Sequence, residues 1–121
     1  MHPYERLDAW HNCHRLVLAI YDATGSWPID ERFGLTSQVR RAAVSAAANL
    51  AEGSGRRGSR EFHRFLQIAF GSLVEVSYLL RLAKDLGHID DASHARIDEI
   101  REVAAKLTWR LCARIGALAR Q

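Results

Sequence analysis

Residues 34–62 read "GLTSQVRRAAVSAAANLAEGSGRRGSREF". Gly53, Gly55 and Gly58 stand at the spacing G-x-G-x-x-G, which marks a dinucleotide site when a strand leads in and a helix leads out. What leads in here is rich in alanine. Leu35, Val39, Ala42, Ala43, Ala46 and Leu50 recur at steps of three and four, the helical period, and nothing alternates as a strand does. The glycines therefore punctuate helices instead of cradling a pyrophosphate. Gly53 or Gly55 is expected to end one helix in a left-handed conformation, and Gly58 and Ser59 to open the next.

Three further segments carry the same period. Leu7, Trp10, Cys13 or His14, Val17, Ile20 or Tyr21, and Thr24 mark the first. Phe62, Phe65, Ala69, Leu73, Val76, Leu80 and Ala83 mark the third, with Gly87 as its terminating glycine. Ile97, Ile100, Ala104, Leu107, Leu111, Ile115 and Leu118 mark the fourth, which Asp90 or Asp91 caps. The spacing predicts helices over about residues 5–25, 35–53, 59–86 and 91–119, with a single turn in the gap from Gly25 to Phe33. The last two links are short, so consecutive helices lie antiparallel. The expectation is an all-α, up-down-up-down four-helix bundle formed as one domain from residues 1–121.

Composition agrees. Hydrophobic residues make up 48% of the 121, with only 2 Pro, so a core is affordable without staples. No apolar run reaches the ~20 residues of a membrane span, and "MHPYERLDAW" does not read as a secretory signal. Cys13 and Cys112 have no paired spacing and read as two small buried hydrophobes in a reducing, cytoplasmic setting. A disulfide joining the first and last helices is the alternative.

Charge is uneven. The net is +3, yet residues 35–64 hold six arginines against Glu52 and Glu61, whereas residues 1–34 hold three against five carboxylates. Arg56, Arg57, Arg60 and Arg64 crowd the start of the third helix, whose free N–H groups and partial positive charge favour an anion. With Arg40 they are the candidate contacts to a nucleic-acid backbone. A second feature is the polar stripe Gln38, Arg41, Ser45, Asn49, Glu52. At 100° per residue its members fall within about 80° of one another. Either a hydrogen-bonded network, within the bundle or between subunits, or a ligand groove accounts for it.

These residues resemble a known family. "GLTSQVRRAAVSAAANLAEGSGR" followed by "REFHRFLQIAFGSLVEVSYLL" is similar to the bacterial four-helix bundle family, also called the 23S rRNA intervening-sequence protein family. "LDAW", "IYDATGSWP" and "ERFGL" agree with its first helix and linker, and the resemblance covers roughly residues 5–90. Where that family often has an Ile-Pro pair, Ala46 and Ala47 stand here, which predicts a straighter second helix. The resemblance implies no enzymatic activity, an association with RNA, and assembly into basic rings of five bundles.

The chemistry of a metal or redox centre is missing from the pattern. No Glu-x-x-His pair occurs; His11, Cys13 and His14 lie close in sequence, but His14 reads as a core-margin residue and His11 as exposed. No metal, cofactor or catalytic residue is expected. The first functional reading is a non-enzymatic homo-oligomeric bundle that binds RNA or DNA through phosphates. The alternative is a protein–protein scaffold with no nucleic-acid role, using surface Trp27, Phe33 and Tyr78. Val44, Ala48 and Phe70 lie off the core stripes, where a neighbouring copy would cover them.

Overall fold

The computed structural model describes residues 1–121, and every regular element is helical. The helices are α1 (Asp8–Thr24), α2 (Leu35–Ser54), α3 (Ser59–Asp85) and α4 (Asp91–Ala119), with short 3-10 turns at Pro3–Arg6 and Ile29–Glu31. The first helix is thus shorter than expected. Pro3 starts a separate turn, and Leu7 takes an extended conformation before α1 begins. The turn foreseen in the linker is present at Ile29–Glu31.

Side-chain pairings give the topology. Gly53 lies against Phe65 while Ser45 bonds Ser72, so α2 and α3 run in opposite senses. Gly116 lies against His63 while Trp109 packs on Phe70, which opposes α3 and α4. Cys13 meets Thr108 across α1 and α4, and Arg40 at the start of α2 reaches Thr24 at the end of α1. Each helix touches its two sequence neighbours around a square, with α4 closing onto α1.

The core is one cluster. Leu16, Ile20, Val39, Leu50, Leu66, Leu73, Val76, Leu80, Ile97 and Thr108 are sealed from solvent. All six apolar positions read on α2 are buried. On α1 the buried stripe is Ala9, Cys13, Leu16, Ile20 and Thr24, so the stripe that was read lies partly on its flank. Leu7, Trp10 and Val17 are only half-buried, and His14 is exposed, stacked on Trp10 at 5.0 Å. The two stripes share helical spacing; only the positions of α2 and α4 select between them. On α4, Leu118 is exposed because the last turn extends past the core.

A side-chain cap acts at the start of α4 and a glycine cap at the end of α3, but not at the end of α2. The Asp90 carboxylate caps α4 by accepting from the Ser93 amide at 2.7 Å, which holds its pKa below the ordinary value. Gly87 sits at φ +80° after α3, and the amides of Gly87 and His88 donate to the carbonyls of Lys84 and Ala83. That pair of bonds is the Schellman arrangement. In α2, Gly53 lies buried inside the helix and Gly55 closes it at φ −91°, so neither is left-handed. The left-handed glycine of this turn is Gly58, at φ +83°, before α3. Gly53 serves another need, because a Cβ there would stand 2.7 Å from that of Phe65.

Although no unbroken apolar run is long enough, α3 meets the length and mean-hydropathy requirement for a membrane span. In this fold its Phe65, Leu66, Ala69, Leu73, Val76 and Leu80 are buried in the bundle.

Candidate nucleic-acid interface

A layer through Cys13, Ser45, Ser72 and Thr108 divides the bundle into two ends. One end holds the chain start, the α2–α3 turn and the end of α4. Residues 1–13, 45–72 and 108–121 carry eight arginines against four carboxylates, a formal +4. The remaining residues carry nine basic against ten acidic groups, a formal −1. The antiparallel topology creates this polarity. It adds Arg6, Arg110, Arg114 and Arg120 to the four arginines of the turn.

The turn itself is built on the close approach of Gly53 to Phe62 and Phe65. Phe65 is buried, and the guanidinium carbons of Arg56 and Arg64 lie 5.2 and 4.7 Å from its ring centroid. Each of these arginines also donates to a carboxylate, Arg56 to Glu52 at 2.8 Å and Arg64 to Glu61 at 2.7 Å. The hydrogen bond from Arg64 holds Glu61 below the usual carboxylate range, and Glu61 in turn raises the Arg64 pKa. Two of the eight charges are thereby partly neutralised. Arg6, Arg57, Arg60, Arg110, Arg114 and Arg120 are exposed and form no ion pair.

At the start of α3 the amides of Ser59, Arg60 and Glu61 have no backbone acceptor, and no side chain caps them. Arg57 precedes these donors in sequence, and Arg60 supplies one of them. On the neighbouring seam, Arg6, Arg110 and Arg114 line a cleft of about 290 Å³ between α1 and α4, with Asp8 as its one carboxylate. The assembly offers many cationic contacts on an open surface and no enclosed reaction centre.

Arg40 does not belong to this end. Sixteen residues along α2 separate it from Arg56, about 24 Å at the helical rise. It donates from Nε to the Thr24 hydroxyl at 2.8 Å and lies over Tyr21, at the opposite end of the bundle. The polar stripe also divides. Gln38 and Arg41 are exposed. Ser45 and Asn49 are half-buried in the α2–α3 seam, where Ser45 bonds Ser72 at 2.9 Å and the Asn49 amide donates to the Ser45 carbonyl and hydroxyl. Glu52 pairs with Arg56. Of the five members of the stripe only Ser45 and Asn49 share a hydrogen-bonded cluster, which Ser72 of α3 completes.

The remaining candidates resolve as follows. Trp27, read as a surface residue, is buried at 8% exposure, whereas Phe33 and Tyr78 are exposed. The linker folds back over the bundle end, which covers Trp27 and brings it 6.0 Å from the His88 ring. Both cysteines are free thiols, so no disulfide joins α1 to α4. Cys13 is sealed and its thiol is pushed up to about 12 by burial, against the hydrogen bond with Thr108. No three His, Cys, Asp or Glu side chains converge on a point that could hold a metal ion.

Arg6, Arg110, Arg114 and Arg120 lie far from the turn in sequence, so charge along the chain does not group them with it. The signal available was the up-down-up-down order, which returns the chain start and the end of α4 to the α2–α3 turn.

Fold and site together define an antiparallel four-helix bundle with a cationic end. More particularly, the chain belongs to the 23S rRNA-intervening sequence protein family, whose model matches residues 5–109. The match reaches well into α4, beyond the stretch that the motifs carried, and stops just before Arg110. No curated protein matches the chain.

Proposed function

We propose that this protein is a non-catalytic, homo-oligomeric bundle of the cytoplasm that binds RNA, or DNA, through its backbone phosphates. The observation that carries the reading is the set of six exposed, unpaired arginines gathered at one end of the molecule. Arginine forks match phosphate oxygens, and free amides at the start of α3 add donors. The family's name, which refers to sequences that interrupt 23S rRNA, supports RNA as the nucleic acid.

Assembly into a ring, of five subunits as the resemblance implies, would multiply the basic end. Val44 and Ala48 on α2 and Val74, Tyr78 and Trp109 on α3 and α4 are exposed, and supply apolar surface for a neighbour. A ring contact is heterologous, so two different surfaces of each copy are used and the ring must close. Repeating the arginines around one rim raises avidity without any new contact.

The test is a salt titration. With about six phosphates neutralised, log K against log salt should slope at roughly −4 for a single strand and −5 for a duplex. Changing Arg57 and Arg60 together to Ala should weaken binding of every sequence alike and flatten the slope by one to two, roughly one per lost contact. An affinity independent of salt would refute the phosphate mechanism. Light scattering should report a mass several times 13.6 kDa, and a monomer at micromolar concentration would remove the ring.

A further inference from the structure

The end of the bundle opposite the basic turn carries a cleft of about 600 Å³, where the end of α1, the linker and the first turns of α2 meet. None of its thirteen lining residues is acidic, although this half of the molecule holds ten of the fourteen carboxylates. Arg32, Arg40 and Arg41 all line it, and none of them has a carboxylate partner. Asp22, Asp30 and Glu31 adjoin lining residues in sequence without lining the cleft, and Glu31 is engaged elsewhere: one oxygen accepts from the Leu35 amide at 3.2 Å and the other meets His88 at 2.9 Å.

Two kinds of recognition element face this cleft. The first is a set of donors without acceptors. The amides of Thr36 and Ser37, in the first turn of α2, have no backbone acceptor. Thr36 is 92% buried by its 8% exposure, yet its hydroxyl makes no hydrogen bond in the protein. No side-chain polar atom in the chain is both unpaired and shut from the surface, so this hydroxyl opens into the cleft that Thr36 lines. The second is aromatic. Phe33 is 91% exposed, with Arg32 5.9 Å from its ring centroid, and Tyr21 lies under Arg40 at 4.5 Å. A phenyl ring held out in water beside arginines has no role in the core. Aromatic rings and guanidinium planes are what unstacked bases rest on.

We propose that this cleft binds a nucleotide unit. Its phosphate is held by Arg32, Arg41 and the donors of Thr36 and Ser37, and its base stacks on Phe33. Its volume lies within the range of sites for small ligands and cofactors, about 300–1,000 Å³. The site is independent of the basic end and shares no residue with it. One chemistry, a base carrying phosphate, could come from a free nucleotide or from a single strand.

The test is calorimetric titration of the full chain, at low salt, with ADP, inorganic pyrophosphate and octauridylate as probes. ADP should bind more tightly than pyrophosphate. Phe33→Ala should weaken ADP by about tenfold and leave pyrophosphate unchanged, the stacking contribution alone being lost. Arg41→Ala should weaken both. Both side chains are exposed, so neither variant endangers the fold, and unchanged melting temperatures verify this. Octauridylate binding no tighter than ADP identifies a free nucleotide as the source. Tighter octauridylate binding whose excess disappears in Phe33→Ala identifies a strand. Either outcome supports the site. Pyrophosphate matching ADP, or nucleotide affinity unmoved by both variants, overturns it. Octauridylate binding that is lost only in Arg57→Ala with Arg60→Ala, together with ADP affinity unmoved by Phe33→Ala and Arg41→Ala, also overturns the cleft, while leaving the basic end intact.

Discussion

Replacing glycine by alanine at two helical positions should shift stability in opposite directions. Both Gly53 and Gly71 lie within helices, so each substitution gains helix propensity of about 0.5–1 kcal/mol. At Gly71 a new Cβ meets nothing within 4 Å, and the gain stands alone. At Gly53 the new Cβ falls 2.7 Å from the Cβ of Phe65 and 3.0 Å from its neighbour Phe62, short of the 3.4 Å at which ordinary contact begins. The first obstruction is fixed to the backbone of α3, so no rotamer change relieves it and the two helices must part. Overpacking costs about 1–3 kcal/mol, and an obstruction that cannot rotate away falls in the upper part of that range, about 2–2.5 kcal/mol; less the propensity gain of about 0.5–1 kcal/mol, the net loss is about 1–2 kcal/mol. For a chain of this length each kcal/mol moves Tm by roughly 4 °C. Gly71→Ala should therefore raise Tm by about 2–4 °C, and Gly53→Ala should lower it by about 4–8 °C. Thermal melts followed by circular dichroism, at two protein concentrations to separate assembly from folding, measure both. A Gly53→Ala protein as stable as the parent would refute the close approach on which the α2–α3 turn rests. Because Phe65 also carries Arg56 and Arg64, the same variant should weaken phosphate binding at the basic end.

Two further outcomes follow from the titrating groups. Cys13 is sealed with its thiol raised to about 12, while Cys112 is half-exposed, so Ellman's reagent should label Cys112 in the native protein and Cys13 only on unfolding. Two thiols reacting at once would refute the placement of Cys13 in the core. The Glu31 carboxyl is held below its ordinary 4.5 by the hydrogen bond with His88 and then by the Leu35 amide. A carboxyl lowered in the folded state contributes stability above its unfolded pKa, and that contribution is lost as pH falls through the folded one. Tm should thus decline from about pH 4.5 downward, and Glu31→Gln should lower Tm at neutral pH and make the acid decline shallower. Asp90 and Glu61, also lowered, leave part of the decline in place. An acid limb equally steep in the variant would count against the Glu31–His88 link.

The periodic parts of the fold were legible. The stripes of α2 and α3 hold because alanine, leucine and valine at steps of three and four allow one buried face. The stripe of α1 was ambiguous, since Trp10, Val17, Cys13, Leu16 and Ile20 wrap more than one face and only the partner helices select among them. Trp27 was misplaced for a related reason. A linker tryptophan reads as exposed until the turn between α3 and α4 is known to lie beneath it. The candidate site was half legible: Arg56, Arg57, Arg60 and Arg64 cluster in sequence and in space, whereas Arg40, sixteen residues before Arg56, gathers instead with Arg32 and Arg41 at the opposite end.

Propensity, period and capping act over a few residues, so the class of the fold, its four helices, most of their ends and the basic turn are written in residue order. Tertiary structure decided what depends on residues far apart in the chain. It set which face of α1 is buried, why Gly53 is glycine, and that Arg6, Arg110, Arg114 and Arg120 join the turn while Arg40 leaves it for the cleft beside Phe33. The physical reason is that charge and contact act through space. An antiparallel bundle folds distant stretches onto one end and carries the two ends of a single helix about 30 Å apart.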